Sequence, residues 1–336
     1  MATSGIELSL SRGSELPAVS VILPVLNEEV HLAQSVESIL SQNYAGHIEI
    51  ILALGPSKDM TDQIAESLAL SDSRISIVRN PTGKTAAGLN LAINKSTSPV
   101  IVRVDAHSEL PKNYISLAIE IMKSSGAVNV GGVMGAQGIS HFEKSVAAAM
   151  RSPLGVGASR FHTGGEAGFV DTVYLGVFMR SAVIAVGGFD ERFIRAQDWE
   201  LNYRLRQSGG TIFFDPRLHV TYRPRSTFKA LAKQYFEYGR WRRVVSRRHQ
   251  GTINYRYLAP PFSLIGTALS IILALTINLI LIFPAAIYGI FLIIASLITG
   301  KGLIEKLLLP FVLFTMHMSW GLGFLTSPKT LAPTTG

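Results

Sequence analysis

Four short stretches of this 336-residue chain combine side chains able to do chemistry. Asp105-Ala106-His107 follows directly on the apolar run 100–104. Two ligand-type side chains two positions apart, at the carboxyl end of a buried strand, can face one crevice and share one divalent metal. Carboxylate oxygen with imidazole nitrogen suits Mn2+, and the pyrophosphate of a nucleotide would supply further ligands. The alternative is an aspartate capping the next turn beside a surface histidine. Pro24-Val25-Leu26-Asn27-Glu28-Glu29 ends one apolar run and opens a helical one. It can seat a base and ribose at a strand edge, or it can be turn chemistry with Glu28 and Glu29 in a first helical turn. Gln197-Asp198-Trp199-Glu200 precedes an expected helix over 201–207 that stops at Gly209-Gly210. A carboxylate there can act as a general base toward an acceptor hydroxyl, or serve as an N-cap or dipole partner. In Glu237-Tyr238-Gly239-Arg240-Trp241, Arg240 can reach a substrate phosphate and Trp241 can stack under a sugar or isoprenoid, or the pair can simply face a membrane.

The elements that must position these groups are legible as an alternation. Residues 18–25 form a continuous β-branched run, as a buried parallel strand should. Helical periodicity follows over 28–41, then strand 48–54, helix 62–70, strand 75–78, helix 84–93 and strand 100–104. This predicts a doubly wound α/β sheet with its ligands at the carboxyl ends of the strands. No internal repeat or low-complexity linker interrupts it. Two familiar phosphate motifs fail: Gly83-Lys84-Thr85 has Val78 where a P-loop needs glycine, and Gly131-Gly132-Val133-Met134-Gly135 lacks dinucleotide-fingerprint spacing. The chain has no cysteine, which excludes disulfides, thiolate zinc sites, iron–sulfur clusters and cysteine nucleophiles.

Apolar residues and charge are both concentrated late in the chain. Mean hydropathy is +0.31, high for a soluble enzyme. Between Arg256 and Lys301 lie 44 residues without Asp, Glu, Lys or Arg. As one helix these would extend about 66 Å, roughly twice a bilayer's hydrocarbon core, so two spans are expected: 258–283 and a second from Pro284. A third is expected over 307–325. Residues 217–256 carry eleven basic side chains and one acid, so this segment is +10 while the remainder of a +8 chain is −2. Phe228, Leu231, Tyr235, Tyr238, Trp241 and Val245 recur at helical spacing through it. That pattern predicts an amphipathic helix at a membrane interface, its arginines at lipid phosphates. The positive-inside rule puts the arginine-rich flank in the cytoplasm and, after three spans, the C-terminus outside. The first basic residue is Arg12 and the run 19–26 is too short and too broken by Pro24 for a signal-peptide apolar region, so the N-terminal part is expected to stay cytoplasmic.

The order and spacing of the motifs resemble a family 2 glycosyltransferase of the GT-A fold, of the succinoglycan-biosynthesis type with C-terminal membrane helices. SVILPVLNEE, NPTGKTAAGLN, VRVDAHSE, VGGFDERFIRAQDWELNYRLRQSGG and YRPRSTFKALAKQYFEYGRWRR carry the resemblance. It implies a Rossmann-like GT-A domain over 18–226, a basic interfacial segment over 227–257 and about three transmembrane helices over 258–326, with tails at 1–17 and 327–336. By the same resemblance Pro24, Val25, Leu26, Glu28, Asp59, Lys84 and Asp105 bind the nucleotide-sugar. Asp105 and His107 hold Mn2+ or Mg2+, and Asp198 is the catalytic base. Asp171, Tyr174, Glu237, Arg240 and Trp241 serve the acceptor or diphosphate, with Glu237 where the family's Q-x-x-R-W element has glutamine. The implied activity is an inverting transfer from a nucleotide-diphospho-sugar to a lipid-linked or polysaccharide acceptor. It would take place at the cytoplasmic face of the plasma membrane, with membrane lipids and no nucleic acid as partners. Transfer to a bare polyprenyl phosphate is the rival enzymatic reading, and a basic membrane scaffold or nucleic-acid binder the non-enzymatic one. Leu54 departs from the pattern, standing where the family usually has a base- or ribose-contacting aspartate.

Overall fold

The computed structural model describes residues 16–331, so most of the expected tail over 1–17 and the last residues of that over 327–336 lie outside the described residues. The chain runs β1 (Val19–Val25), α1 (Leu32–Leu40), β2 (Ile48–Leu54), α2 (Thr61–Ser71), β3 (Ile75–Arg79), α3 (Thr85–Lys95), β4 (Val100–Arg103), α4 (Tyr114–Ser125) and β5 (Asn129–Ala136). It continues through α5 (His141–Met150), the single turns α6 (Pro153–Val156) and α7 (Arg160–Thr163), β6 (Gly168–Phe169), β7 (Tyr174–Met179), α8 (Arg180–Ala185), α9 (Gln197–Gln207) and β8 (Ile212–Tyr222). The last elements are α10 (Phe228–Arg248), α11 (Tyr255–Thr276), α12 (Phe283–Thr299) and α13 (Leu303–Thr326). Two compact units result. The first runs to Gly135 and resumes over Gly164–Thr221; the second takes Ala136–Thr163 and everything from Tyr222 onward.

In the first unit the sheet order is β3-β2-β1-β4-β7-β5-β8-β6. β1 pairs in parallel with β2 on one side and β4 on the other, whereas β7 joins β4 and β5 antiparallel. The β-branched runs of β1, β2 and β4 are buried on both faces, as parallel strands covered by helices must be. Strand order reverses at β1, so the crevice at its carboxyl end, beside β4, is the topological switch point where α/β sheets bind ligands. Register sharpens this: Ile22 lies opposite Arg103, which puts the residues after Val25 next to those after Val104.

A carboxylate at the opposite strand ends ties this sheet together. Glu49 Oε1 accepts hydrogen bonds from the Ser20 hydroxyl, from Thr97 N and Oγ1 at 2.8 and 2.9 Å, and from Ser98 Oγ at 3.1 Å. Partial burial pushes its pKa up, but these donors outweigh burial and pull it from 4.5 down to about 2. A depressed carboxyl stabilises the fold above its unfolded value and loses that contribution as pH falls. Wild-type stability should therefore decline between about pH 4.5 and 2 relative to Glu49→Gln, which should be about 1–2 kcal/mol less stable at neutral pH, the figure discounted for partial exposure. Urea unfolding of the two proteins across that window measures it.

The second unit contains three helical segments long and apolar enough to cross a membrane: Tyr255–Thr276, Leu279–Thr299 and Leu303–Thr326. The break after the first falls several residues before the expected Phe283–Pro284 step. Asn278 decides it, its side chain accepting from Ile280 N at 3.0 Å as the cap of a 3-10 turn over Leu279–Ile282. Pro284 sits instead in the first turn of α12, where its missing N–H costs nothing. α10 spans the predicted amphipathic stretch, capped by Thr227. Of its apolar face Leu231, Tyr235, Trp241 and Val245 are buried whereas Phe228 and Tyr238 are exposed. Gly239 of α10 and Gly323 of α13 let the two backbones meet, since a Cβ on either would overlap the Trp320 or Phe236 carbonyl respectively.

Candidate active site

The loop after β1 is built against the loop after β2. Asn27 adopts a left-handed conformation (φ 55°), rare for a residue other than glycine. Its N–H donates to Ser57 Oγ at 3.0 Å and its side-chain oxygen accepts from Lys58 N at 2.8 Å. Glu28 N donates to Thr61 Oγ1 at 2.7 Å, and Met60 N donates to Glu29 Oε2 at 2.9 Å. These bonds delay the first helix, which starts at Leu32 rather than residue 28. Asp59 is consumed in the same clasp, accepting from Thr61 Oγ1 at 2.5 Å and from Thr61 and Glu29 N–H groups, with the Thr61 hydroxyl foremost in holding its carboxyl below the usual range. Gly55 closes the clasp: a Cβ there would come within 3.0 Å of Leu26 and 3.3 Å of the Gly83 backbone. Leu54 is 1% exposed, a core residue of β2 with no polar reach into the crevice.

β4 ends at Arg103, one residue earlier than expected, and Asp105–Ser108 forms a turn closed by Ser108 N to Asp105 O at 2.8 Å. His107 Nδ1 lies 2.9 Å from Glu28 Oε1, so the first and fourth strands' loops are joined by the two residues that register brought together. Arg103, inside the VRVDAHSE stretch but given no role there, is the centre of the site. Only 4% exposed, its guanidinium contacts Asp105 Oδ1 at 3.1 Å through Nη2 and Asp198 Oδ1 through Nη1. Asp198 arrives from a segment 95 residues away. It lies inside the first turn of α9, which starts at Gln197 rather than 201. The residue before this helix, Ala196, has φ 60° and no capping side chain. Two of the three described non-glycine residues with positive φ, Asn27 and Ala196, thus flank the site, where backbone strain commonly concentrates. α9 is fixed from behind: Glu200, 1% exposed, takes Arg204 at 2.6 Å, and Arg204 also donates to Val186 O and Gly188 O at 2.5 and 2.7 Å.

The remaining expected residues fall as follows. Val25 is 2% exposed, with its carbonyl accepting from Gly55 N at 2.8 Å, whereas Leu26 is 39% exposed and Pro24 half-buried. Lys84 is exposed just before α3. Asp171 is exposed and paired with Arg206 at 3.2 Å, and Tyr174 begins β7 half-buried. In the second unit Arg240 pairs with Glu237 at 2.9 Å and lies over the Phe236 ring. Trp241 is 1% exposed. Among the described residues no group of three or more His, Asp or Glu side chains forms a metal cage.

A mixed sheet with this switch point, and with carboxylates gathered at the end of its fourth strand, defines a GT-A glycosyltransferase. Solved structures share the fold. The mannosyltransferase PcManGT from Pyrobaculum calidifontis, in complex with GDP-Man and Mn2+, superposes with a TM-score of 0.60 at 16% identity, over 93% of this chain and 87% of its own. S. aureus TarS 1–349 in complex with UDP gives 0.52 at 14%, over 92% and 90%. The family model for glycosyl transferase family 2 matches residues 20–187, and the chain belongs to that family. It is 29% identical over 90% of its length to the succinoglycan biosynthesis protein ExoA of Rhizobium meliloti, covering 93% of that protein. It is 27% identical over 91% of its length to a Methanococcus voltae dolichyl N-acetyl-α-D-glucosaminyl phosphate 3-β-D-2,3-diacetamido-2,3-dideoxy-β-D-glucuronosyltransferase, covering 95% of it.

Proposed function

We propose that this glycosyltransferase moves a sugar, with inversion, from a nucleotide-diphospho-sugar to a lipid-linked saccharide in the assembly of a cell-envelope or extracellular polysaccharide. The observation that carries the reading is the meeting of Asp105 and Asp198 on one buried guanidinium at the switch point. Single displacement needs a base on the acceptor side and charge compensation on the diphosphate side, and the two carboxylates come from separate elements, Asp198 as the base and Asp105 as a group that would hold a compensating divalent cation. Asp198 takes the proton from the acceptor hydroxyl as its oxygen attacks the anomeric carbon from the face opposite the diphosphate. Pro24, Leu26 and Lys84 border the nucleotide, with the Asn27–Thr61 clasp holding their loops still.

Asp105 and His107 fit a divalent cation by donor chemistry. One carboxylate and one imidazole are too few for a closed protein cage but suit Mn2+ or Mg2+, which complete their shells with water and substrate phosphate oxygens. Glu28 at Nδ1 would fix the His107 tautomer that turns Nε2 toward the ion. The cation supplies charge neutralisation for the departing diphosphate. The relatives support donor and acceptor classes: the neighbours were solved with GDP-Man and Mn2+ or with UDP, and the M. voltae relative is named for a dolichyl-linked sugar phosphate. Three span-length helices support a membrane location, with the arginine-rich α10 and the catalytic unit on the cytoplasmic side.

Membranes bearing the enzyme, incubated with labelled UDP-, GDP- or dTDP-sugars and lipid extract, test this. The product should be a lipid-diphosphate saccharide one sugar longer than its acceptor. A single sugar on a lipid monophosphate would instead establish the bare polyprenyl phosphate as acceptor. EDTA should lower the rate about 100-fold or more and Mn2+ restore it; a rate indifferent to EDTA removes the metal from the mechanism.

A further inference from the structure

Arginine is an unexpected residue within a four-residue strand that is otherwise Val-Ile-Val and buried throughout. A buried guanidinium needs counter-charge, and among the described residues Arg103 finds it in the two carboxylates that matter to the reaction, bonded through Nη1 and Nη2 while its Nε is left without a hydrogen-bond partner. Each is engaged through Oδ1, and neither Oδ2 makes a hydrogen bond among the described residues. The Phe189 ring, 5.9 Å away, backs the guanidinium.

We propose that Arg103 is a positioning residue that couples the two halves of the site: it orients Asp198 toward the acceptor and competes with the donor's divalent cation for Asp105. This rests on the roles given above to Asp105 and Asp198. One positive charge shared by two carboxylates leaves the cluster net negative and receptive to a cation. A dication arriving at Asp105 weakens the Nη2 contact, and the guanidinium then serves Asp198 alone. Base orientation thereby follows donor loading through a single side chain, and the coupling is reciprocal: removing Arg103 must change cation affinity as well as turnover. Lysine can hold one carboxylate but cannot span two with the fixed fork of a guanidinium.

The full-length chain in detergent, as wild type, Arg103→Met and Arg103→Lys, tests the coupling by Mn2+ titration without substrate, followed by electron paramagnetic resonance, and by steady-state kinetics. Arg103→Met should bind Mn2+ about tenfold more tightly, a shift within the usual span of couplings between sites. Its kcat should fall about 100-fold without a rise in donor KM, and Arg103→Lys should recover part of the kcat. Unchanged or weaker Mn2+ binding in Arg103→Met overturns the proposal, as does equal loss of kcat in both variants with wild-type Mn2+ affinity. Should Arg103→Met fail to fold, Arg103→Lys carries the test: lowered kcat at unchanged donor KM supports the proposal, and wild-type kcat overturns it. Asp198→Asn run in parallel separates the two readings. Full turnover there strikes the base assignment itself, while the substrate-free Mn2+ shift still reports the Arg103–Asp105 competition.

Discussion

Asp198→Asn should lower kcat by about 10²–10⁴, leave donor KM within a few-fold of wild type, and melt at nearly the wild-type temperature. The substitution is isosteric. The asparagine oxygen can still accept from Arg103, whose guanidinium also keeps Asp105 and the Phe189 ring. The α9 helix keeps its anchors at Glu200 and Arg204. The capacity to take a proton is lost together with one of the two negative charges on Arg103, whose ion pair with Asp105 remains. The other carboxylates of the crevice do not replace it: Glu28 is committed to His107, and Asp59 to Thr61 and Glu29. The measurement is initial-rate sugar transfer to lipid extract by purified protein, with thermal unfolding as the control for fold. Wild-type turnover in Asp198→Asn would move the base elsewhere. A loss confined to KM would make Asp198 a binding group instead.

The parts of this site that the sequence disclosed and the parts it hid differ for physical reasons. Buried parallel strands announce themselves as β-branched runs, so the bounds of β1, β2 and β4 fall within a residue of expectation. Asp105 and His107 were visible because they directly follow such a run. Glu28 and His107 were visible separately, but their bond depends on strand order, which periodicity does not encode. Arg103 left one signal, a charge within an apolar strand, and its meaning appears only when α9 delivers Asp198 from a distant segment. The left-handed Ala196 left none, because its conformation is imposed on a residue that does not prefer it, whereas Asn27 is of a type that tolerates the left-handed region without announcing it. Helical spacing placed Trp241 on α10 but could not give the depth of its burial, at 1% exposed.

The second large effect lies in that unit. Gly239→Leu or Gly323→Leu should prevent α10 and α13 from seating, because the obstacle at each glycine is main chain and cannot rotate aside. At Gly239 a Cβ would meet the Trp320 carbonyl and lie 2.9 Å from Phe324 N; at Gly323 it would meet the Phe236 carbonyl. The helices must then part, and with them the close backbone packing around Gly239 and Gly323. Overpacking against side chains typically costs about 1–3 kcal/mol, and a backbone obstacle that separates two helices costs more. At about 2–4 °C per kcal/mol for a unit of this size, either variant should melt about 10 °C or more below wild type in detergent, or fail to accumulate. Gly289→Leu is the control. It lies in α12, and a Cβ there would have nothing within 4 Å, so the added side chain meets open space and the melting temperature should hold. If Gly323→Leu melts like Gly289→Leu, the close α10–α13 contact is not what holds the unit together. If it collapses as expected, the close contact with α13 is what holds the arginine-rich α10 in place.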